Sequence, residues 1–453
     1  VTLIDAYGEG ANPILSGGES NYNPIYVKQV SGGGRLIIRD LDVTNTPADG
    51  IVVESQSGVT ISNVLIEGCR AYETNKLNQG GKDGIRIGCA KDGGLISNVI
   101  IDGCDAFDNN GHGIKVRDNT QNVLIRNCRA WNNGLTSPSH GIGTSHSRAL
   151  VASAGSWTAT SGGAYQATIS TTALFQTTIT TWLAVYCANQ NGYFWLTPTA
   201  SSPPSAGQFY TGGSNTLEIN VGAAPSAAGV YAAYLPVNAR FDACEVWGTI
   251  DSDGNEGHGF GTDDLTQFAT YVGCVSRDNQ GAGWTTHISQ AAILSGIVSV
   301  RNAKQGVYAL AGKNTSLYNS TIALNGEQGF RAASGGTGNY LRNNIFLLNE
   351  GYGISSSSPS YTIDDDYNCV YGNGGGAREN VSTTGANGIL LDPLLDSAYR
   401  PTAASPCRNN ATYIPGARHY GGKRMSVVSP TIGAHGYYEA RSVADGRSVR
   451  MVG

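Results

Sequence analysis

Five of the chain's seven histidines, His112, His140, His146, His258 and His287, lie in or close to short Gly-apolar steps, in company with Asp83, Arg86, Lys115, Arg117, Asp263 and Asp264. These residue types suit two chemistries. A neutral imidazole can take a proton from carbon while Lys or Arg beside it stabilises the charge that develops. A pair of carboxyl groups can instead hydrolyse a glycosidic bond, one as acid and the other as base or nucleophile. Both demand that residues far apart in sequence meet in one place.

A repeat supplies the means. Gly followed by an apolar residue returns at Gly50-Ile51, Gly84-Ile85, Gly113-Ile114, Gly141-Ile142, Gly259-Phe260, Gly283-Trp284, Gly306-Val307, Gly329-Phe330 and Gly353-Ile354. Self-similarity at such a period means stacked units that bury a face only against their neighbours. Between these steps lie short alternating runs such as NVIIDG, NVLIRN and YVGCVS, which read as brief strands joined by turns. Helix signals are nearly absent. At about 24 residues per coil there is room for about three strands of ~5 residues, which predicts an all-β parallel β-helix.

In a solenoid, residues at one coil position stack at about 4.8 Å intervals. The residue before each Gly then forms a column of Asp49, Asp83, His112, His140, His258, Ala282, Gln305, Gln328 and Tyr352. The residue after each Gly points inward, and the next one outward. That outward set includes Arg86, Lys115, Arg117, Gly143, Gly261, Asp263, Thr285, His287, Tyr308 and Arg331. Polar residues ahead of Gly also serve turns. Because later coils place Ala282, Gln305 and Gln328 there, the turn itself does not require His or Asp.

A second ladder, Cys69, Cys104, Cys128, Cys244 and Cys274, continues as Ile297, Ser320 and Asn344 and reads as reduced core positions. The pattern divides the chain into residues 1–148 and 238–372 of the solenoid, an insertion at 149–237, and an irregular tail at 373–453 whose SPCRNN and PTIGAHGYY segments are expected to cap the open end. The insertion carries one charged residue, Glu218, amid many aromatics and short strands, which predicts a small β-sandwich standing beside the His patch.

Composition narrows the function. A net charge of −5 gives no basic surface for nucleic acid. No apolar run reaches the ~20 residues of a membrane span, and the start VTLIDAYGEG has no signal-peptide pattern. The nine cysteines show no metal-ligand spacing such as CxxC.

GHGI at 111–114, GHGF at 257–260, KDGI at 82–85 and TDD at 262–264 resemble motifs of the pectin-lyase-like superfamily of right-handed parallel β-helices. The Gly-His-Gly strands are similar to those of polygalacturonases, although the Asp pair here follows the His strands. AYGEGANPIL, the embedded GQFYTGGSNTLEI and the ending PTIGAHGYYEARS look more like phage tailspike depolymerases and bacterial polysaccharide-degrading β-helices. The resemblance implies cleavage of capsule, O-antigen or exopolysaccharide, outside the cell or on a virion, often by a homotrimer.

For elimination on a uronic-acid polymer, His140 or His112 is the expected base, Lys115 and Arg117 the carboxylate partners, and His258 a further member. Asp263 and Asp264 would be acid, orienting or metal groups; Asp83, Arg86, His146, His287 and Tyr308 would contact substrate. No cofactor is required, though Ca²⁺ held by Asp83, Asp263 and Asp264 is a family option. Hydrolysis would use Asp263 with Asp264, Glu256 or Asp251, since Asp83 and Asp263, three coils apart, are separated by on the order of 14 Å. A C5-epimerase shares the first proton abstraction, and a glycan-binding adhesin or tail fibre is the non-catalytic reading.

Overall fold

The computed structural model of the chain describes residues 2–435 apart from breaks, those beside the site being 75–81, 119, 146–148, 252–256, 264–265 and 288, and apart from much of 153–238. Three parallel sheets of 12, 11 and 11 strands run the length of a solenoid. No described helix is long and apolar enough to cross a membrane.

The repeat has a steric origin. In the third sheet the post-glycine residues pair rung on rung, from Ile51 through Ile85, Ile114 and Ile142 to Phe260, Trp284 and Val307. All are buried in one core. Each preceding Gly lies against the next coil: a Cβ on Gly113 would fall 2.5 Å from the Gly141 carbonyl oxygen and 2.8 Å from Asn133 Nδ2. No side chain fits that approach, so the glycine recurs.

Asn133 belongs to a buried ladder that sets the turn ahead of the third sheet. Asn109 Nδ2 donates to Asn133 Oδ1 at 2.9 Å, and Asn279, Asn302, Asn325, Asn349 and Asn373 continue the series from coil to coil. Asn302 Nδ2 also donates to Ser299 Oγ, while its Oδ1 accepts from the Asn279 backbone. Asn302→Ala would strand several buried partners and is expected to cost about 2–4 kcal/mol, read as a lowered urea midpoint at unchanged slope.

The cysteine ladder is reduced and buried, as expected. On the outer face of the second sheet Tyr72, Phe107, Trp131 and Trp247 stack at 4.7, 4.3 and 5.0 Å between neighbouring centroids. Arg277 closes that stack over Trp247.

The insertion leaves after the third-sheet strand His140–Ser145 and the chain rejoins the first sheet at Ala239–Asp242, in register with Val123–Arg126. The solenoid therefore stacks across it without a gap. Its eight described strands form a sheet of their own, mostly antiparallel, in one continuous order through Gly192–Pro198, which pairs with Leu183–Cys187 and, at its end, with Gln208–Gly212. Most of its aromatic side chains lie outside the described residues; Phe209 is buried.

Two features depart from expectation at the far end. Strands Gly376–Glu379 and Thr383–Thr384 extend the solenoid past residue 372, because these rungs pair through backbone without the Gly-apolar signature. The described part of the tail sets Ile389 beside Cys369 on the last rung of the second sheet and then lies along the outside of that sheet. There Ala434 packs with Val298, Val300 and Ala323, and Cys407 and Ile432 pack with Ile345 and Cys369. Those strands carry apolar residues on both faces, so the outer face must also be covered.

Candidate active site

The third sheet brings the pre-glycine column together, though not as a solvated face. Asp49, Asp83, His112, His140 and His258 are all buried, His140 to 2% exposure. Part of their work is structural. Asp49 Oδ1 accepts the Asp83 backbone N–H at 2.8 Å, Asp83 Oδ1 accepts that of His112 at 2.9 Å, and His258 Nδ1 accepts that of Ala282 at 2.8 Å. Ring contacts add to the burial: His112 meets His140 edge to face and His140 stacks on His258, with centroids 5.3 and 5.5 Å apart.

Within the column, contacts fix which nitrogen carries each proton. His112 Nδ1 lies 3.1 Å from Asp83 Oδ1. An ionised carboxylate only accepts, so Nδ1 holds the hydrogen and Nε2 the lone pair. Lys115 Nζ stands 3.4 Å from the same Nδ1; both are donors in this tautomer, so the shorter contact to Asp83 keeps the hydrogen and Lys115 acts on the ring through its charge. Burial and the Lys115 charge push His112 down to about 4, against the pull of Asp83. Burial alone would raise Asp83, but Lys115 and His112 outweigh it and hold the carboxyl below its ordinary range. His112 is thus a neutral imidazole with an oriented lone pair.

His258 has the opposite tautomer. Its Nδ1 lone pair is taken by Ala282, so Nε2 carries the hydrogen, and burial with the neighbouring His140 pushes its pKa down to about 3. It is a neutral donor and does not serve as the base.

His140 pairs through Nε2 with the Asp263 carboxylate. The strand His258–Thr262 ends just before Asp263, whose N–H donates to Thr144 O at 2.8 Å, and this break lets the side chain reach the groove. Burial would raise Asp263, but His140, His287 and His258 outweigh it and keep it low. The ring of His140 crosses Gly143 and Gly261: a Cβ on Gly261 would meet its Cγ and Nε2 at 2.5 Å.

The remaining candidates divide. Arg86 pairs with neighbouring acids, with Nε 3.0 Å from Asp49 Oδ2 and Nη1 3.2 Å from Glu54 Oε2. Burial and the charge of Asp83 raise Asp49 despite Arg86. Arg117 follows Lys115 on the strand Ile114–Arg117, and among the described residues nothing meets its buried Nε. His287 donates its backbone N–H to Thr262 O at 2.9 Å on the rung beyond Asp263. Tyr308 lies further along, beneath Arg331. His146, Glu256 and Asp264 lie outside the described residues, and Asp251 is buried.

Asp83 and Asp263 do not fit together around one Ca²⁺, and Asp264 lies outside the described residues. Asp83 and Asp263 sit three rungs apart, about 14 Å, and each carboxylate already holds a histidine. Among the described residues no cluster of three His, Cys, Asp or Glu could hold a metal ion. What sequence reasoning missed is the pair Gly143 and Gly261; the signal was two glycines in an outward column otherwise filled by Arg86, Lys115, Thr285 and Tyr308.

The buried neutral histidines also predict a pH dependence of stability. Between about pH 6.5 and 4 the unfolded chain takes up protons that folded His112 and His258 do not, so stability falls as pH falls. The slope is up to about 1.4 kcal/mol per pH unit per histidine, expected as a lower urea midpoint at pH 5 than at pH 7.

Residues 23–158 match the family model described as the right handed beta helix region. The solenoid is a right-handed parallel β-helix. It has the architecture expected from the resemblance to the pectin-lyase-like superfamily. Solved structures similar to this β-helix include the A-module of Azotobacter vinelandii mannuronan C-5 epimerase AlgE4, at 16% identity over 84% of this chain and 83% of that one, TM-score 0.44. Pectate lyase Pel9A is similar at 14% identity over 96% and 85%, TM-score 0.46. The periplasmic alginate epimerase AlgG is similar at 11% over 81% and 77%, TM-score 0.46. No curated protein sequence matches the β-helix chain.

Proposed function

We propose that this β-helix acts outside the cell on a uronic-acid-containing polysaccharide laid along its third sheet, by abstraction of the proton α to the carboxylate followed by β-elimination. The observation that carries the reading is the Asp83–His112–Lys115 group, an oriented neutral base with a cation 3.4 Å from its ring. His112 Nε2 takes the proton at C5. Lys115 and Arg117 stabilise the enolate formed from the carboxylate. The C4–O bond then breaks, its electron pair leaves with the glycosidic oxygen, and that oxygen takes a proton from the His140–Asp263 pair or from water.

Epimerisation at C5 is the second reading, favoured by the two His–Asp pairs on adjacent coils, one able to take a proton and the other to return it to the opposite face. Hydrolysis fits less well. It requires a carboxylic acid still protonated near neutral pH, whereas Asp263 is held low by three histidines.

Incubation with a panel of acidic and neutral bacterial polysaccharides separates these outcomes. Ultraviolet absorbance of unsaturated uronate rising together with reducing ends establishes elimination. Altered uronate composition by NMR without cleavage indicates the epimerase. Reducing ends without absorbance would overturn proton abstraction, and binding without any turnover would make the groove a glycan-binding surface.

A further inference from the structure

The outward column of the third sheet has an uneven profile. In register it reads Arg86, Lys115, Gly143, Gly261, Thr285, Tyr308 and Arg331. Three consecutive rungs therefore carry no large side chain at this position, while a cation stands at one end and an aromatic ring at the other. From Lys115 to Tyr308 is four rung spacings, about 19 Å. His140 and Asp263 lie over the two glycine rungs, off centre and toward the Lys115 end.

At the far wall, Arg331 of the next coil lies with its guanidinium carbon 5.9 Å from the Tyr308 ring centre, and Arg331 Nη1 is 4.0 Å from Glu327. Tyr308 is partly buried, and its neighbour on the active-site side is the small Thr285. Thr285 is itself buried, so contact falls on the part of the Tyr308 ring that remains exposed. An aromatic ring with a cation beside it can pack the apolar face of a pyranose, while the cation attracts an acidic chain.

We infer that Tyr308 and Arg331 form a distal subsite of this groove, which engages a second acidic sugar of the same chain two rungs beyond Gly261 and makes the protein selective for chains long enough to reach from Lys115 to Tyr308. The inference rests on the reading of the groove as a uronan site. Sugars in a linear polymer advance by roughly one coil spacing each, so with one unit at Lys115 an oligomer of about five or more units reaches Tyr308, whereas a dimer bound at Lys115 and His112 does not. Attack is accordingly internal to the chain rather than at its ends.

The test is kcat/KM for hexuronic-acid oligomers, oligogalacturonate and oligomannuronate from dimer to octamer, with wild-type protein, Tyr308→Ala, Tyr308→Phe and Arg331→Ala. In wild type the hexamer-to-dimer ratio is expected to be large. Tyr308→Ala should reduce that ratio by about tenfold, Arg331→Ala by somewhat less, and Tyr308→Phe, which keeps the ring, should largely preserve it. An unchanged ratio in Tyr308→Ala, with wild type active, overturns the subsite and leaves the catalytic reading standing. Should wild type turn over none of the oligomers, the catalytic reading fails, and affinity electrophoresis in polygalacturonate and in alginate decides the subsite: weaker retardation of Tyr308→Ala supports it, and equal or absent retardation overturns it.

Discussion

His112→Ala is expected to lower kcat on a uronate polymer by about 10³-fold, within the usual range for loss of a positioned general base, with a much smaller effect on KM. In wild type the base is available once His112 is neutral, so kcat/KM should hold through neutral pH and fall only as pH drops toward about 4. Asp83→Asn removes the carboxylate that raises the His112 pKa and orients Nδ1, so the acid limb should move lower and the rate should fall. Full turnover in His112→Ala would remove the base assignment. Loss of the rate with an unchanged acid limb in Asp83→Asn would separate His112 chemistry from its supposed partner.

Gly261→Ala is the second large effect. A single methyl group at this position would fall 2.5 Å from Cγ and Nε2 of His140, well inside van der Waals contact. The ring must then leave Asp263, and a displacement of about 1 Å at a catalytic group can cost 10²-fold in rate. Gly143→Ala is a built-in control, since its added Cβ would meet His140 Cδ2 at 3.1 Å, which a small ring shift can relieve. The expected order is a loss of about 10²-fold for Gly261→Ala and a much milder loss for Gly143→Ala, with far-ultraviolet circular dichroism unchanged in both. Normal kcat in Gly261→Ala would mean that the His140–Asp263 contact is not required.

The two effects differ in how far they were legible in the chain. His112 and Lys115 stand three residues apart around a Gly-Ile step, and strand alternation alone places Lys115 on the outward face. The partner Asp83 could be read from the same column one coil earlier. The tautomers could not, because they depend on which backbone N–H or carboxylate reaches each ring nitrogen. His112 and His258 occupy equivalent positions in the repeat, yet one faces Asp83 and the other the Ala282 N–H, so one presents a lone pair and the other a hydrogen. Likewise the packing of the column is tertiary: His112 meets His140 edge to face and His140 stacks on His258 from the neighbouring coil.

What the sequence by itself determined is the solenoid: a Gly-apolar step recurring at coil length, reduced cysteines at one core position, an insertion interrupting one turn, and a patch of His, Lys, Arg and Asp on one sheet. Those follow from local rules of alternation and close packing that act within each coil and between neighbours. Only the tertiary structure decided that His140 reaches Asp263 across two glycines, that Arg86 answers to Asp49 and Glu54, and that the tail covers the second sheet. Each of these is set by where side chains from different coils meet in three dimensions, and spacing along the chain carries no record of that distance or direction.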